Sequence, residues 1–438
     1  MPAPVFGFLA FTSGSYEGAI VRDMRLANAL HRRGFPVRIY WLMEKNPELV
    51  DRGIPQRWLA TGLRYYTERP GSLLDRMGKL TVIWPAKRRR RFLQERPELV
   101  ERLLSNFCRA ICDGDPALSA RVASACRADG VTHLLPTFAM TCPFVRDLKR
   151  DAGAEYLVTF QGEEIFANYA ARIGRLDDYN RRLREAVDGS AFPAVAVSRD
   201  YVDRVSTEIG VDRAKLRPIY PGIELPESNA ATPSFDELKS IHADLRPDVP
   251  IIAYLGRQDP EKGIDLLLYA VRMVRDRTGR DVQVVVAGGT SFGQHYQDSC
   301  KAIAEHLRLP VYWKRRITDA ARNALFAHAR MVVYPPIHRE PFGMVAAEVM
   351  SHGTPVIVPD LGGITEVITS ADGRAGGLTF RTWDSADLSV QIERLLVDDV
   401  LHARLKSDAR SIAEQFSVDR MTDEVLRHMG LSPAPATN

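Results

Sequence analysis

Two apolar patterns alternate along the chain. Short continuous apolar runs closed by glycine, proline or serine read as buried strands. They cover residues 4–11, 37–41, 131–135, 156–160, 194–198, 251–256, 282–287, 311–313, 331–334 and 354–358. Between them apolar residues recur at helical spacing and predict amphipathic helices. One runs through Ile20, Met24, Leu26, Ala27 and Leu30, another through Ile264, Leu267, Leu268 and Val271. Others carry Met344, Val345, Ala347, Val349 and Met350, then Leu388, Ile392, Leu395 and Leu396, and finally Met421, Val425 and Met429. Gly34 and Gly353 stand where helices end, and Ser198 and Ser417 where helices begin. Strands alternating with helices in this way predict an α/β fold with parallel sheets.

Two stretches break the rhythm. Residues 45–125 fit no compact strand–helix alternation and read as an insertion in a first domain spanning residues 1–225. Residues 226–249, rich in Pro, Ser, Asn and charge, read as a linker to a second domain over 250–415. The segment 416–431 reads as a last helix, and 432–438 as a disordered tail. A chain of 438 residues is long for one domain, which agrees with this division.

Composition narrows the class. With 45% hydrophobic and 26% charged residues the chain has an ordinary globular make-up. A formal charge of +4 is too small to mark a general polyanion binder, so any basic partner surface is local. The one dense cluster is Lys87, Arg88, Arg89, Arg90 and Arg91, beside Leu80, Val82, Ile83 and Trp84. It reads as a solvated helix face next to a packed apolar patch or, alternatively, as a contact for an anionic membrane or a phosphorylated acceptor. Nucleic acid is not expected, because no reader motif accompanies the cluster. Cys108, Cys112, Cys126, Cys142 and Cys300 lack metal-finger spacing and read as buried free thiols, suited to a reducing cytoplasm. Residues 4–11 read as a first strand, not a signal peptide. No run approaches the roughly 18 apolar residues of a membrane span, so any membrane contact would be peripheral, at the inner face.

The chemistry concentrates in residues 334–367, where Glu340 and Glu348 flank a Pro-Phe-Gly turn and the helix that follows it. Free amides at a helix start welcome an anion, while carboxylates beside them accept hydrogen bonds from sugar and ribose hydroxyls. Arg257 leaves the end of a strand after Gly256, and Lys262 stands at the next helix start. Ligands bind at that edge of open α/β sheets, and two converging cations can neutralise a diphosphate there. Asp113-Gly114-Asp115 lies between helices and reads as turn chemistry rather than a metal site.

Glu340, Phe342, Gly343, Glu348, Gly353, Pro355, Val356, Gly362, Gly363 and Glu366 resemble the signature of the retaining glycosyltransferases of family 4. The Gly256, Arg257, Lys262, Gly263 pattern resembles that family's diphosphate clamp. The resemblance implies a GT-B fold, two Rossmann-like domains facing across a cleft, the first binding the acceptor and the second the nucleotide sugar, with the helix over 416–431 returning to the first. It further implies transfer of a hexose from a nucleotide diphosphate sugar to a hydroxyl, with retained configuration. UDP-sugars are the default donor and GDP-mannose the competitor. The acceptor would be a small molecule, a glycan or a lipid-linked sugar, and neither metal nor cofactor would be required. Catalytic roles fall on Glu340, Arg257, Lys262 and Gln161. Donor contacts fall on Gly18, Gly256, Arg257, Lys262, Glu340, Phe342, Gly343, Met344 and Glu348, and acceptor contacts on Gly14, Gln161 and Glu164. The chain departs from the family at Glu17, in place of a glycine, and at Gln161, in place of a histidine near the donor sugar. A GT-B phosphorylase, an epimerase or a catalytically weak nucleotide-sugar binder are the alternatives.

Overall fold

The computed structural model describes residues 3–12, 18–61, 97–162, 164–227, 231–290 and 294–432. The chain divides into two compact units, Met1–Gly222 with Val418–Asn438, and Ile223–Ser417.

The first unit is built on a parallel sheet in the order β3-β2-β1-β4-β5. Its strands are β1 (Phe6–Thr12), β2 (Val37–Met43), β3 (Gln56–Thr61), β4 (His133–Pro136) and β5 (Glu155–Tyr156). Strand β1 is buried throughout, and apolar up to its last residue Thr12, because it is central and covered on both faces. Phe6, Phe8 and Ala10 pack with Ile20, Met24 and Ala27 of helix Gly18–Arg32, and with Met421, Val425 and Met429 of helix Val418–His428. The last helix is thus part of the first unit's core, and Arg33 pins it through Asp419 at 2.9 Å and through Asp423.

Two expectations change here. Residues 45–125 are not simply an insertion: β3 extends the sheet, pairing parallel with β2, and helices Pro97–Asp113 and Pro116–Ala128 follow. The strand was hidden because Gln56, Arg57 and Thr61 interrupt its apolar run at a sheet edge. Asp115 does serve as turn chemistry, accepting from the Leu118 amide to cap the second helix. The single strand expected over 156–160 is broken in two. Leu157 N still donates to Leu134 O of β4, but Val158 O accepts from Val195 N, so the chain changes partners between those residues. The second piece, β6 (Thr159–Phe160), belongs to another parallel sheet with β7 (Ala194–Ala196) and β8 (Leu216–Pro218).

The second unit carries a parallel sheet in the order β11-β10-β9-β12-β13-β14. Its strands are β9 (Ile251–Leu255), β10 (Gln283–Ala287), β11 (Val311–Lys314), β12 (Met331–Val333), β13 (Val356–Pro359) and β14 (Gly377–Phe380). Counted from β9 this is the order 3-2-1-4-5-6 of a dinucleotide-binding fold, in which the direction of travel reverses between β9 and β12. The expected linker 226–249 is largely absorbed into this unit. A short helix, Phe235–Ser240, buries Leu238, while Phe235 meets His328 edge-on and Arg246 N donates to Gln283. Its polar composition masked a few leucines that the unit uses as a cap.

Among the described residues no helix is long and apolar enough to cross a membrane, and all five cysteines are free and buried. Lys87 to Arg91 lie outside the described residues.

Candidate functional site

The crevice between β9 and β12 is where a doubly wound sheet of this order offers a ligand site. Several strands of the second unit end there. Gly256 and Arg257 leave β9, Gly288 and Gly289 leave β10, and Tyr334 leaves β12.

The loops are tied together by their backbones. Gly256 N donates to Ala287 O at 3.0 Å, Gly288 N to Lys314 O at 2.9 Å and Gln258 N to Gly289 O at 2.7 Å. The buried Gln258 side chain donates to Gly288 O and accepts from Gln297, so its amide is fixed at both ends. Gly288 has φ +137°, and a Cβ there would lie 1.8 Å from Gly256 O. The approach of these two loops therefore requires a residue without a side chain.

Glu340 is the centre of the cluster. Lys262 Nζ donates to its Oε2 at 2.7 Å, and the Tyr334 hydroxyl and His338 Nε2 meet the same oxygen at 3.3 Å each. Lys262 also donates to the Tyr334 oxygen at 3.0 Å. All three contacts fall on Oε2, so among the described residues Oε1 is the oxygen of Glu340 left to a ligand. Burial pushes this carboxyl up, but the Lys262 charge and the hydrogen bonds from His338 and Lys262 outweigh it and hold Glu340 well below the usual carboxylate range. Glu340 is ionised. Its backbone is placed by a bridge to Gly362. His338 is anchored through Nδ1 on Glu261 O at 3.1 Å, and Ile337 N donates to that same carbonyl.

Arg257 is held in a fork of two carboxylates, Nη1 to Asp259 at 2.6 Å and Nη2 to Glu261 at 2.9 Å. Burial opposes its charge, and Glu261 and Asp259 more than restore it.

Beyond Glu340, Phe342 is buried against Phe416, with ring centroids 5.3 Å apart. Gly343 stands at φ +92° before helix Met344–Ser351, and a Cβ would strike the Ile364 side chain. Met344 opens the helix and Glu348 lies half-buried in its second turn. The turn at 361–363 leads into helix Ile364–Ile368.

The sequence-derived candidates therefore separate into two groups. Gly256, Arg257, Lys262, Glu340, Phe342, Gly343, Met344 and Glu348 all belong to the second unit, where Lys262 and Glu340 touch. Gly18, Gln161 and Glu164 belong to the first, and Gly14 lies outside the described residues. Gly18 starts its helix at the surface. Glu164 starts helix Glu164–Arg172. Gln161 is half-buried just past β6, and its Nε2 donates to Asp23 Oδ1 at 3.3 Å and to Thr137 O.

Several groups escaped the sequence reading. Tyr334 and His338 stand six and two positions before Glu340 and looked like strand end and loop. Asp259 and Glu261, the carboxylates that pair with Arg257, lie inside the clamp pattern but carried no role in the sequence. In the first unit, Arg22 and Asp23 form an ion pair at 2.7 Å, with side chains only 2% and 1% exposed. Burial raises the Asp23 pKa, with Arg22 opposing it. Charges at 22 and 23 inside an amphipathic helix are ordinarily expected to face solvent; no periodicity argument would have buried both.

Residues 237–412 match the family model described as glycosyl transferases group 1. The chain is similar to a D-inositol 3-phosphate glycosyltransferase of Gordonia bronchialis, 32% identical over 228 residues, covering 50% of this chain and 47% of the relative. A protein of the same description from Streptomyces bingchenggensis is 30% identical over 243 residues, covering 54% and 52%. The chain spans about half the length of these curated relatives. Among solved structures it resembles Anabaena HepE in complex with UDP and glucose, with TM-score 0.69, 18% identity and coverage of 97% and 99%. It equally resembles a sucrose-phosphate synthase from Thermosynechococcus elongatus, with TM-score 0.69, 18% identity and 98% of each chain covered. These structural likenesses concern the fold, which is GT-B.

Proposed function

We propose that the protein, whose residues 237–412 match the family model described as glycosyl transferases group 1, transfers a hexose from a nucleotide diphosphate sugar to a hydroxyl acceptor, with retention of anomeric configuration. The observation that carries this reading is the Lys262–Glu340 contact at the crevice between β9 and β12. It couples an ionised carboxylate with one oxygen to spare to a cation beside the arginine of the same loop. Glu340 Oε1 accepts from hydroxyls of the donor sugar, and Glu348 from the ribose diol. Breaking the anomeric bond puts negative charge on the departing diphosphate, and Arg257, Lys262 and the amides after Phe342 stabilise it as it develops. The acceptor hydroxyl attacks from the face the diphosphate leaves, and the diphosphate takes its proton. In this reading side-chain cations, not a metal, carry the leaving-group charge. Gln161 contributes a neutral amide, unable to become the cation that an imidazole can.

UDP-sugars are favoured, and the complexes of HepE with UDP and with UDP-glucose agree with that choice; GDP-mannose is the competitor. The name shared by the curated relatives favours a small phosphorylated polyol among the three acceptor classes. The test is incubation with UDP-glucose, UDP-N-acetylglucosamine or GDP-mannose and a panel of polyol phosphates, glycans and lipid-linked sugars, followed by proton NMR of the product's anomeric centre. A product with the donor's configuration supports the reading. An inverted product contradicts it, as does turnover only with inorganic phosphate.

A further inference from the structure

The proposed diphosphate site already holds anions. Arg257 and Lys262 supply two positive charges, while Asp259, Glu261 and Glu340 place three carboxylates against them. Each cation is paired, so a diphosphate entering here meets neutralised side chains, and it either uses the N–H donors these pairs leave over or takes the place of a carboxylate. The three are not equally able to leave. Asp259 is 2% exposed and the Glu340 side chain 15%, held by Lys262, Tyr334 and His338. Glu261 is 31% exposed, and its carboxylate's bond to Arg257 at 2.9 Å lies at the surface end of the fork. Its backbone is fixed independently of that carboxylate, because Glu261 O takes the Ile337 amide and His338. The side chain can therefore swing away while the loop stays in place.

We propose that Glu261 is an exchangeable counter-ion for Arg257. It holds the guanidinium in the unliganded protein, yields its place to a phosphate oxygen of the donor, and returns when the sugar has been transferred, helping the nucleoside diphosphate to leave. The inference rests on the donor-site reading above. The physical basis is that a guanidinium presents one planar fork to either a carboxylate or a phosphate, so the two compete for the same donors. A partly exposed ion pair is weak enough to be exchanged without large cost.

The experiment is calorimetric titration of the full chain with UDP, with GDP alongside and uridine as the uncharged control. It compares the wild type, Glu261→Gln, Glu261→Asp and the double variant Arg257→Ala/Glu261→Gln, at low and high salt. Glu261→Gln is expected to bind the diphosphate tighter, by roughly five-fold, the scale of an exposed ion pair, with slower release in stopped flow. Uridine affinity is expected to stay unchanged, the gain to vanish in the double variant, and salt to shrink it. Glu261→Asp, whose shorter carboxylate reaches Arg257 less well, is expected to fall between. Unchanged or weaker diphosphate binding by Glu261→Gln, with its melting temperature retained, would show that the carboxylate positions Arg257 rather than competes for it, and overturns the proposal. Binding of no nucleoside diphosphate to any variant overturns the donor-site reading as well, so the two failures are distinguishable.

Discussion

At the scale of single residues the decisive group is Glu340. Removing one partner of a buried ion pair leaves the other charge uncompensated, at a cost of about 3–5 kcal/mol. Glu340→Gln keeps the volume but leaves Lys262, 6% exposed, without its counter-ion. The variant is expected to lose about 3 kcal/mol of unfolding free energy at neutral pH, measured by denaturant titration. The pH dependence follows from the sign of the shift. Glu340 has a folded-state pKa below its ordinary value of 4.5, so its stabilisation is complete above that value. It fades as pH falls from there toward the lowered folded-state value, because the unfolded chain then binds the extra proton. The stability gap between wild type and Glu340→Gln is therefore expected to be flat from neutral pH down to about 5 and to narrow in more acid solution. A gap that widens in acid would contradict an ionised Glu340.

What the sequence disclosed at this scale, and what it hid, have separate causes. Glu340, Arg257 and Lys262 were legible because their spacing is tied to a turn and a strand end, which local pattern reveals. Tyr334 and His338 were not, because their importance comes from contacts made when β9 and β12 are brought side by side across many intervening residues; Glu261 was not, because a charge in a loop gives no sign of whether it faces water or, as here, the Arg257 four residues before it. Arg22 and Asp23 were hidden for a different reason: periodicity assigns charges to the solvent face, and only packing shows that this pair is covered.

At the scale of elements the second unit depends on strand ends that approach closely. Gly288→Ala would force a Cβ against Gly256 O and a side chain into positive φ. Overpacking and backbone strain each cost about 1–3 kcal/mol. The variant is expected to lose roughly 2–4 kcal/mol in stability, and to lose nucleotide binding because the loop bearing Arg257 is displaced. A variant of wild-type stability, measured by thermal melting, would contradict this account of the loop pair. Strands β1, β9, β10 and β13 could be read from sequence because central strands of a parallel sheet are apolar on both faces. The edge strand β3 was missed, and the break between β5 and β6 as well, since residues 156–160 form one apolar run whether they serve one sheet or two.

At the scale of the whole chain the units are interleaved. The last helix, Val418–His428, lies beyond the second unit in sequence but belongs to the core of the first. Each of Met421, Val425 and Met429 is buried, and deleting buried side chains of this size costs about 2–5 kcal/mol apiece. A chain ending at residue 417 is expected to lose the first unit's cooperative unfolding transition. The helix pattern itself was plain in the sequence, whereas the boundary after Gly222 was not, because the polar stretch that suggested a linker is folded onto the second unit. Survival of both transitions in the shortened chain would show that the helix is dispensable.

The central claim is that the crevice between β9 and β12 binds the diphosphate of a nucleotide sugar. The most direct test is a melting-temperature panel of the full chain with UDP, GDP, ADP and their sugars, repeated in Arg257→Ala and Lys262→Ala. A nucleotide at about 100 times its dissociation constant adds roughly 2.7 kcal/mol of stability to the form that binds it. Stabilisation by one nucleotide family, UDP foremost, that disappears in both variants is the predicted result. A folded wild type that responds to none of them, or a response that survives both substitutions, would contradict the claim.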